Sequence, residues 1–257
     1  MCNEAGGRAG RCWAATPATP SSGLESLTAW YPHEGVLRSR GVGGVVLCGT
    51  LDLPVLPARL LADCEREIVR LGLEAGDVEP LSLARARVRW PGYGRSVQAV
   101  SGWMQSLGLA DVLVGSDQAL MACRGARYHH DAVYYGGKAF CNIFLSDDKG
   151  LDLHFPQAGH RIRLTRGLAV IFDTAQPHAV IRRNADGFDA QHFAPGQDCT
   201  QLFLTWELPI DNAQLGSALG IRLDIDMPTA SQVTLEQGCV LVNGKPGKLC
   251  PQTGRWL

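Results

Sequence analysis

The sequence has almost no charge imbalance: 24 Lys and Arg stand against 25 Asp and Glu, for a formal net charge of −1. No overall attraction to nucleic acid or to an anionic membrane is therefore encoded. Apolar runs of membrane-spanning length, about 20 residues, are missing, and the N-terminal stretch lacks the apolar centre of a secretory signal. The nine cysteines are odd in number and none falls in a Cys-x-x-Cys pair. Neither a disulfide framework nor a zinc ribbon fits that pattern, which favours reduced thiols in a cytoplasmic protein. There is no internal repeat. What is there is an ordinary globular composition, 46% apolar and 19% charged, in 257 residues. That length supports one large domain with a substantial core, or two small ones.

Taken in order, residues 1–23 are rich in Gly, Ala, Pro, Ser and Thr without periodicity and read as a disordered tail. Short β-like runs follow between Val36 and Leu53, Val45 to Cys48 being the clearest. Pro57 opens a helix with an apolar stripe of Leu60, Leu61, Cys64, Ile68 and Leu71, closed by Gly72. A second helix is expected from Ser96, as N-cap, to Gly108, with Val97, Val100, Met104 and Leu107 on one face. Between them, Ala84 to Arg89 alternates Arg with Ala and Val, the pattern of an edge strand with a solvated basic face. Read functionally, the same stretch with Pro91, Gly92 and Gly94 is a loop covering an anionic or aromatic substrate. Pro209 to Pro228 reads as a connection, and Val233 to Trp256 as an antiparallel pair around the turn Asn243–Gly247, with Cys239 and Cys250 on either side.

The chemistry concentrates between Arg127 and Arg183. His129 and Asp131 are two apart, so on an extended strand both side chains share one face. His178 follows Asp131 by 47 residues, behind the apolar run Leu168–Phe172. Two imidazoles and one carboxylate can occupy one face of an octahedron around Fe(II) and leave the other positions open. A His-x-Asp alone is a weak signal; its setting strengthens it. Ala139–Ser146 and Leu168–Phe172 read as short buried strands, with turns at Gly150, Gly159 and Gly167. A run of short strands with His-x-Asp near its start and His near its end describes a jelly-roll metal site.

These residues, with Lys149–Pro156, Gly167–Asp173 and Pro177, resemble the iron- and 2-oxoglutarate-dependent dioxygenases, nearest the prolyl-hydroxylase-like branch. The resemblance covers about eighty residues, from His129 to roughly Leu208. It implies a double-stranded β-helix, mainly β with flanking helices, and His129, Asp131 and His178 as Fe(II) ligands. It further implies 2-oxoglutarate and O2 as cosubstrates, with succinate and CO2 released and a small molecule or peptide hydroxylated or otherwise oxidised. The expected layout is one oxygenase domain over 24–257: a supporting part at 24–115, the jelly roll at 116–210 and a C-terminal extension with a hairpin at 211–257.

One feature departs from the family. Its members carry an Arg or Lys on the last barrel strand to grip the far carboxylate of 2-oxoglutarate, yet no Arg or Lys occurs from Asn184 to Ile221. Arg182, four residues beyond His178 and on the same strand face, is the first substitute, with Lys138 and Arg163 as fallbacks. The alternative is that Arg182 and Arg183 form an exposed pair leading into a turn. Asn142 alternates with Phe140 and Phe144 and, facing inward, would meet the same carboxylate or bond neighbouring backbone. His130 faces away from His129 and is not expected to ligate. Two other readings remain: a cupin-like zinc isomerase or hydrolase using the same donors, and a non-catalytic jelly-roll binding module. Repair of alkylated nucleic acid is disfavoured, because the paired arginines that branch carries after the distal His are absent.

Overall fold

A computed structural model describes residues 26–225 and 239–257. The expected tail, and residues 233–238 of the expected C-terminal pair, lie outside the described residues. The described chain opens with the hairpin β1 (Leu27–His33) and β2 (Val36–Gly41). Its two turn residues, Glu34 and Gly35, both have positive φ, 48° and 81°, as a type I′ turn requires. Strand β3 (Leu47–Thr50), helix α1 (Ala58–Leu71) and strand β4 (Val78–Leu81) follow. As the stripe predicts, α1 starts after Pro57, buries Leu60 and Cys64, and ends on Gly72 in the left-handed region.

The basic stretch is not a strand. Leu83–Arg89 forms helix α2, with Ala86 buried and the arginines outward. Ala and Arg are both strong helix formers, and that preference overrides the two-residue alternation. Helix α3 runs over Tyr93–Ser106, three residues earlier than expected. Ser96 is therefore not the N-cap; it lies inside the helix, its hydroxyl donating to Gly92 O four residues back.

Next come β5 (Gln118–Cys123), β6 (Ala126–His129), helix α4 (Ala132–Tyr135), β7 (Lys138–Phe144), β8 (Leu151–Phe155), β9 (His160–Arg163), β10 (Leu168–Asp173), β11 (His178–Arg182) and β12 (Gln201–Pro209). These strands divide between two antiparallel sheets. The larger has the order β3-β10-β7-β12-β5-β4, the smaller β6-β11-β8-β9. Consecutive strands crossing between two facing sheets make the expected jelly roll, a double-stranded β-helix, mainly β with flanking helices. After it come α5 (Ala213–Leu219), β13 (Arg222–Leu223), β14 (Val240–Val242) and β15 (Lys245–Pro246). The C-terminal hairpin does not stand apart: β14 pairs with β1, giving a third sheet, β13-β2-β1-β14-β15, that joins both ends of the described chain.

The larger sheet is buried on both faces. On β7, Cys141 and Ile143 point outward to pack with Leu60, Val100, Trp103 and Met104 of the helices. Phe140 and Phe144 point inward, against Val170, Phe172 and Phe203 and, from the smaller sheet, Leu153 and Phe155. Each fully buried side chain of this size contributes about 1.5–3 kcal/mol.

One buried ion pair ties the third sheet to the barrel. Arg40, on β2, and Asp173, at the end of β10, are both 0% exposed. They meet through two bonds, 2.6 and 2.8 Å long. Asp173 also accepts the amides of Gly43 (2.7 Å) and Ala175 (2.9 Å), so its buried charge is fully satisfied. Gly43 cannot be larger, since a Cβ there would sit 2.5 Å from Leu219 O.

Replacing Arg40 with Met strands a buried carboxylate and should cost about 3–5 kcal/mol in denaturant unfolding. Arg40→Lys, which keeps the charge but not the fork, should fall between. A loss below about 1 kcal/mol in Arg40→Met would contradict this role.

Candidate metal centre

His129 closes β6 and His178 opens β11, and the two face each other across the ladder. A register shift between His178 and Val180 marks a bulge, with three residues of β6 spanning two of β11. Bulges of this kind re-aim side chains beside functional sites. The imidazole centroids lie 4.4 Å apart. Asp131 is not on the strand. It is the N-cap of α4, with φ −101° and ψ 14°. It shares a side with His129 because the chain turns there, not because the strand continues. An N-cap Asp ordinarily bonds the helix amides, but this carboxylate makes no capping bond. It faces the histidines instead: Oδ1 is 3.7 Å from His129 Nε2 and Oδ2 is 3.5 Å from His178 Nε2.

Backbone carbonyls set the tautomers. His129 Nδ1 lies 2.7 Å from Arg127 O and His178 Nδ1 lies 2.9 Å from Gln176 O. A carbonyl only accepts, so each Nδ1 carries a hydrogen and each Nε2 is the ring nitrogen turned to the centre. Burial, and His129 beside it, hold His178 well below the usual histidine range, so its ring is neutral. Burial pushes the Asp131 carboxyl up. The contact between Asp131 and the neutral His178 ring is thus not a salt bridge, and the three side chains turn ligand atoms toward one point. All three donor atoms lie within 4.8 Å of one another. Cis donors at about 2.1 Å from a shared ion sit about 3 Å apart, a small contraction from what is found. The residues present fit one divalent cation of the two-His, one-carboxylate type.

Backbone around the turn after β10 holds this set in place. Thr174 O accepts the Asp131 amide (2.7 Å), and the Thr174 hydroxyl donates to Tyr135 O and Lys138 O (2.6 and 2.8 Å). Phe172 packs edge-on to His178 at 4.8 Å between centroids, and Phe155 lies 6.0 Å away. Tyr135 and Phe140 extend the aromatic wall, their centroids 5.0 Å apart.

Asn142 faces inward. It stands opposite Thr205 in the β7–β12 ladder. Asn142 Oδ1 and Thr205 Oγ1 are both buried without a hydrogen-bond partner among the described residues. Beyond them the barrel is filled by Phe144 and Phe203, 5.4 Å apart. Arg182 is not brought to the triad. It lies on the same strand face as His178 but at the far end of the barrel, beyond Val180. Its Nε donates to His192 O (3.0 Å), Nη1 to Lys149 O (2.9 Å) and Nη2 to Gln197 Oε1 (2.7 Å), with its guanidinium over Phe193. Arg163, paired with Asp152, faces outward and is exposed. Lys138 faces inward at the metal end, the other permanent cation among the inward positions of these strands.

Asp152 and His154 both face outward: Asp152 accepts Arg183 Nε (3.1 Å) and His154 Nδ1 meets the Tyr128 hydroxyl (2.5 Å). His130 turns to Trp256, 6.0 Å between rings, and stays out of the donor set. Sequence reasoning missed Thr205 and Glu207. The inward alternation Gln201, Phe203, Thr205, Glu207 opposite Leu202, Leu204 and Trp206 was the available signal.

No protein-family description and no curated protein matches this chain. Solved structures overlap with part of it at low similarity. A prolyl-4-hydroxylase from Pseudomonas putida is 16% identical over 65% of this chain and 93% of that one, with a TM-score of 0.38. HygX from Streptomyces hygroscopicus, solved with nickel and 2-oxoglutarate, is 11% identical over 65% of this chain and 82% of that one, at 0.33. Vicilin from hazelnut, Corylus avellana, is 15% identical over 50% of this chain and 29% of that one, at 0.25. Overlaps this distant carry no argument, and the donor geometry stands by itself.

Replacing His129, Asp131 or His178 with Ala should weaken manganese(II) binding by at least about 100-fold while preserving the fold, since even outer-shell partners are worth 10–100-fold. His130→Ala should bind as the parent does. Electron paramagnetic resonance of free manganese reads both. Loss of binding in His130→Ala with retention in His129→Ala would contradict the assignment.

Proposed function

We propose that the protein is a non-haem iron(II)- and 2-oxoglutarate-dependent oxygenase acting on a small molecule or on an amino-acid or peptide side chain. The observation that carries this reading is the triad itself. Two Nε2 donors and one desolvated carboxylate converge on one side of a point lined by Phe155 and Phe172. Three protein donors leave three positions of an octahedron for a chelating cosubstrate and oxygen. Iron(II) with 2-oxoglutarate and oxygen, when bound, supplies oxidising power through decarboxylation to succinate and CO2.

The chain's own part is to bind, orient and exclude water. His129, Asp131 and His178 hold the metal. Their Nδ1–H bonds to Arg127 O and Gln176 O, and the Thr174 O bond to the Asp131 amide, fix ring and carboxylate orientation. Phe140, Phe155 and Phe172 keep water from the reacting side, and Phe144 with Phe203 closes the pocket floor. Thr205, with its unpartnered hydroxyl, donates to the far carboxylate of 2-oxoglutarate, and Asn142 reaches that carboxylate only through its amide nitrogen, since its unpartnered Oδ1 accepts. The cation that shares this pocket is Lys138, not Arg182, whose donors are engaged at the closed end.

An anaerobic titration with iron(II) and 2-oxoglutarate, followed by a succinate-release screen over candidate substrates, tests the assignment. Lys138→Met should weaken 2-oxoglutarate binding about tenfold or more, the loss of a charged hydrogen bond of roughly 1.5–3 kcal/mol. Arg182→Ala should change it little. The reverse ranking would place the anchor at Arg182 after all; absence of any succinate would reject the oxygenase.

A further inference from the structure

Glu207 is the part of this pocket that the proposed chemistry leaves unused. It sits on the inward face of β12, directly opposite Phe140 and two residues from Thr205. Phe140 in turn stands opposite Phe172 on β10, the ring that packs on His178. One row across three strands therefore runs from the metal to Glu207, with strands about 4.8 Å apart.

The Glu207 carboxylate has no hydrogen bond or ion pair among the described residues, although Lys138 lies one ladder step nearer the mouth. Tyr135 and Phe140 flank it, rings 5.0 Å apart and inclined at 63°. In the same pocket Asn142, 8% exposed, aims an unpartnered Oδ1 acceptor inward. An acid, a buried acceptor lacking a donor, and two aromatic faces are the parts that receive an ammonium group: charge on the carboxylate, N–H on the amide oxygen, and cation over the rings. The other charges facing Glu207 agree. Asp117 across the β5 edge and Asp131 behind Tyr135 are negative; Lys138 alone is positive. Burial and Asp117 push the Glu207 carboxyl up, the expected state of an acid waiting for a cationic partner.

We infer that the substrate oxidised at this centre is an aliphatic or benzylic amine, its ammonium held by Glu207 between Tyr135 and Phe140 while a carbon on the opposite side of the molecule faces His178. The inference rests on the oxygenase reading for the word substrate, but not for the binding.

The test uses manganese-loaded protein, without oxygen, titrated calorimetrically with benzylamine, n-butylamine and 1,5-diaminopentane and with the matching alcohols. At least one amine should bind tenfold or more tightly than its alcohol. Glu207→Gln, uncharged and isosteric, should erase that difference while the manganese stoichiometry stays at one. No preference for any amine, or a preference that survives Glu207→Gln, overturns the inference. Because binding is read without turnover, the two readings fail separately. Amine selectivity at Glu207 with no succinate from any amine sinks the oxygenase alone. Succinate from a neutral substrate whose binding ignores Glu207→Gln sinks the amine alone.

Discussion

The structure depends on the ion pair between Arg40 and Asp173. Both groups are fully withdrawn from water, and such a pair is tolerable only where every remaining polar atom of the acid is met. Here the guanidinium fork and the amides of Gly43 and Ala175 meet it. The consequence is a turn, Asp173 to Pro177, that cannot shift without exposing a buried charge. Thr174 O from that turn fixes Asp131, and Gln176 O orients His178. Two of the three donors thus hang from one clamped segment. The clamp comes from β2, in the sheet that joins the two ends of the described chain.

The same logic explains how an open donor set coexists with a closed core. The larger sheet is sealed on its outer face by α1 and α3 and on its inner face largely by aromatics, with a group of polar residues near the metal end. Lys138, Asn142, Thr205 and Glu207 all lie there, on two adjacent strands. Unpartnered polar groups in a core are costly, at about 1–3 kcal/mol each. Their presence together beside three converging donors marks a place built to receive a polar ligand.

Much of this was legible in the sequence. The spacing of His129 and Asp131, the late His178, and the apolar strands between them gave the jelly roll and its donors. Turn glycines and apolar stripes located α1, β7 and β10. Strand spacing accounts for only half of the first pair, because Asp131 reaches its place through the turn into α4. The α2 segment was misread, since alternation of Arg with Ala is as compatible with a short helix as with a strand, and only the packing of Ala86 decides it. Arg182 shows the limit of facing arguments. A residue on the right face can still lie behind the pocket floor, because strand periodicity gives direction but not depth. Arg40 was invisible for another reason: its partner is 133 residues away, and nothing local marks a buried arginine.

The most direct test of the account is anomalous diffraction from crystals soaked in manganese(II) without oxygen. A single peak within about 2.2 Å of His129 Nε2, His178 Nε2 and one Asp131 oxygen is the predicted result. A peak bound through Nδ1 of either histidine, one that includes His130, or no peak at this position would contradict it.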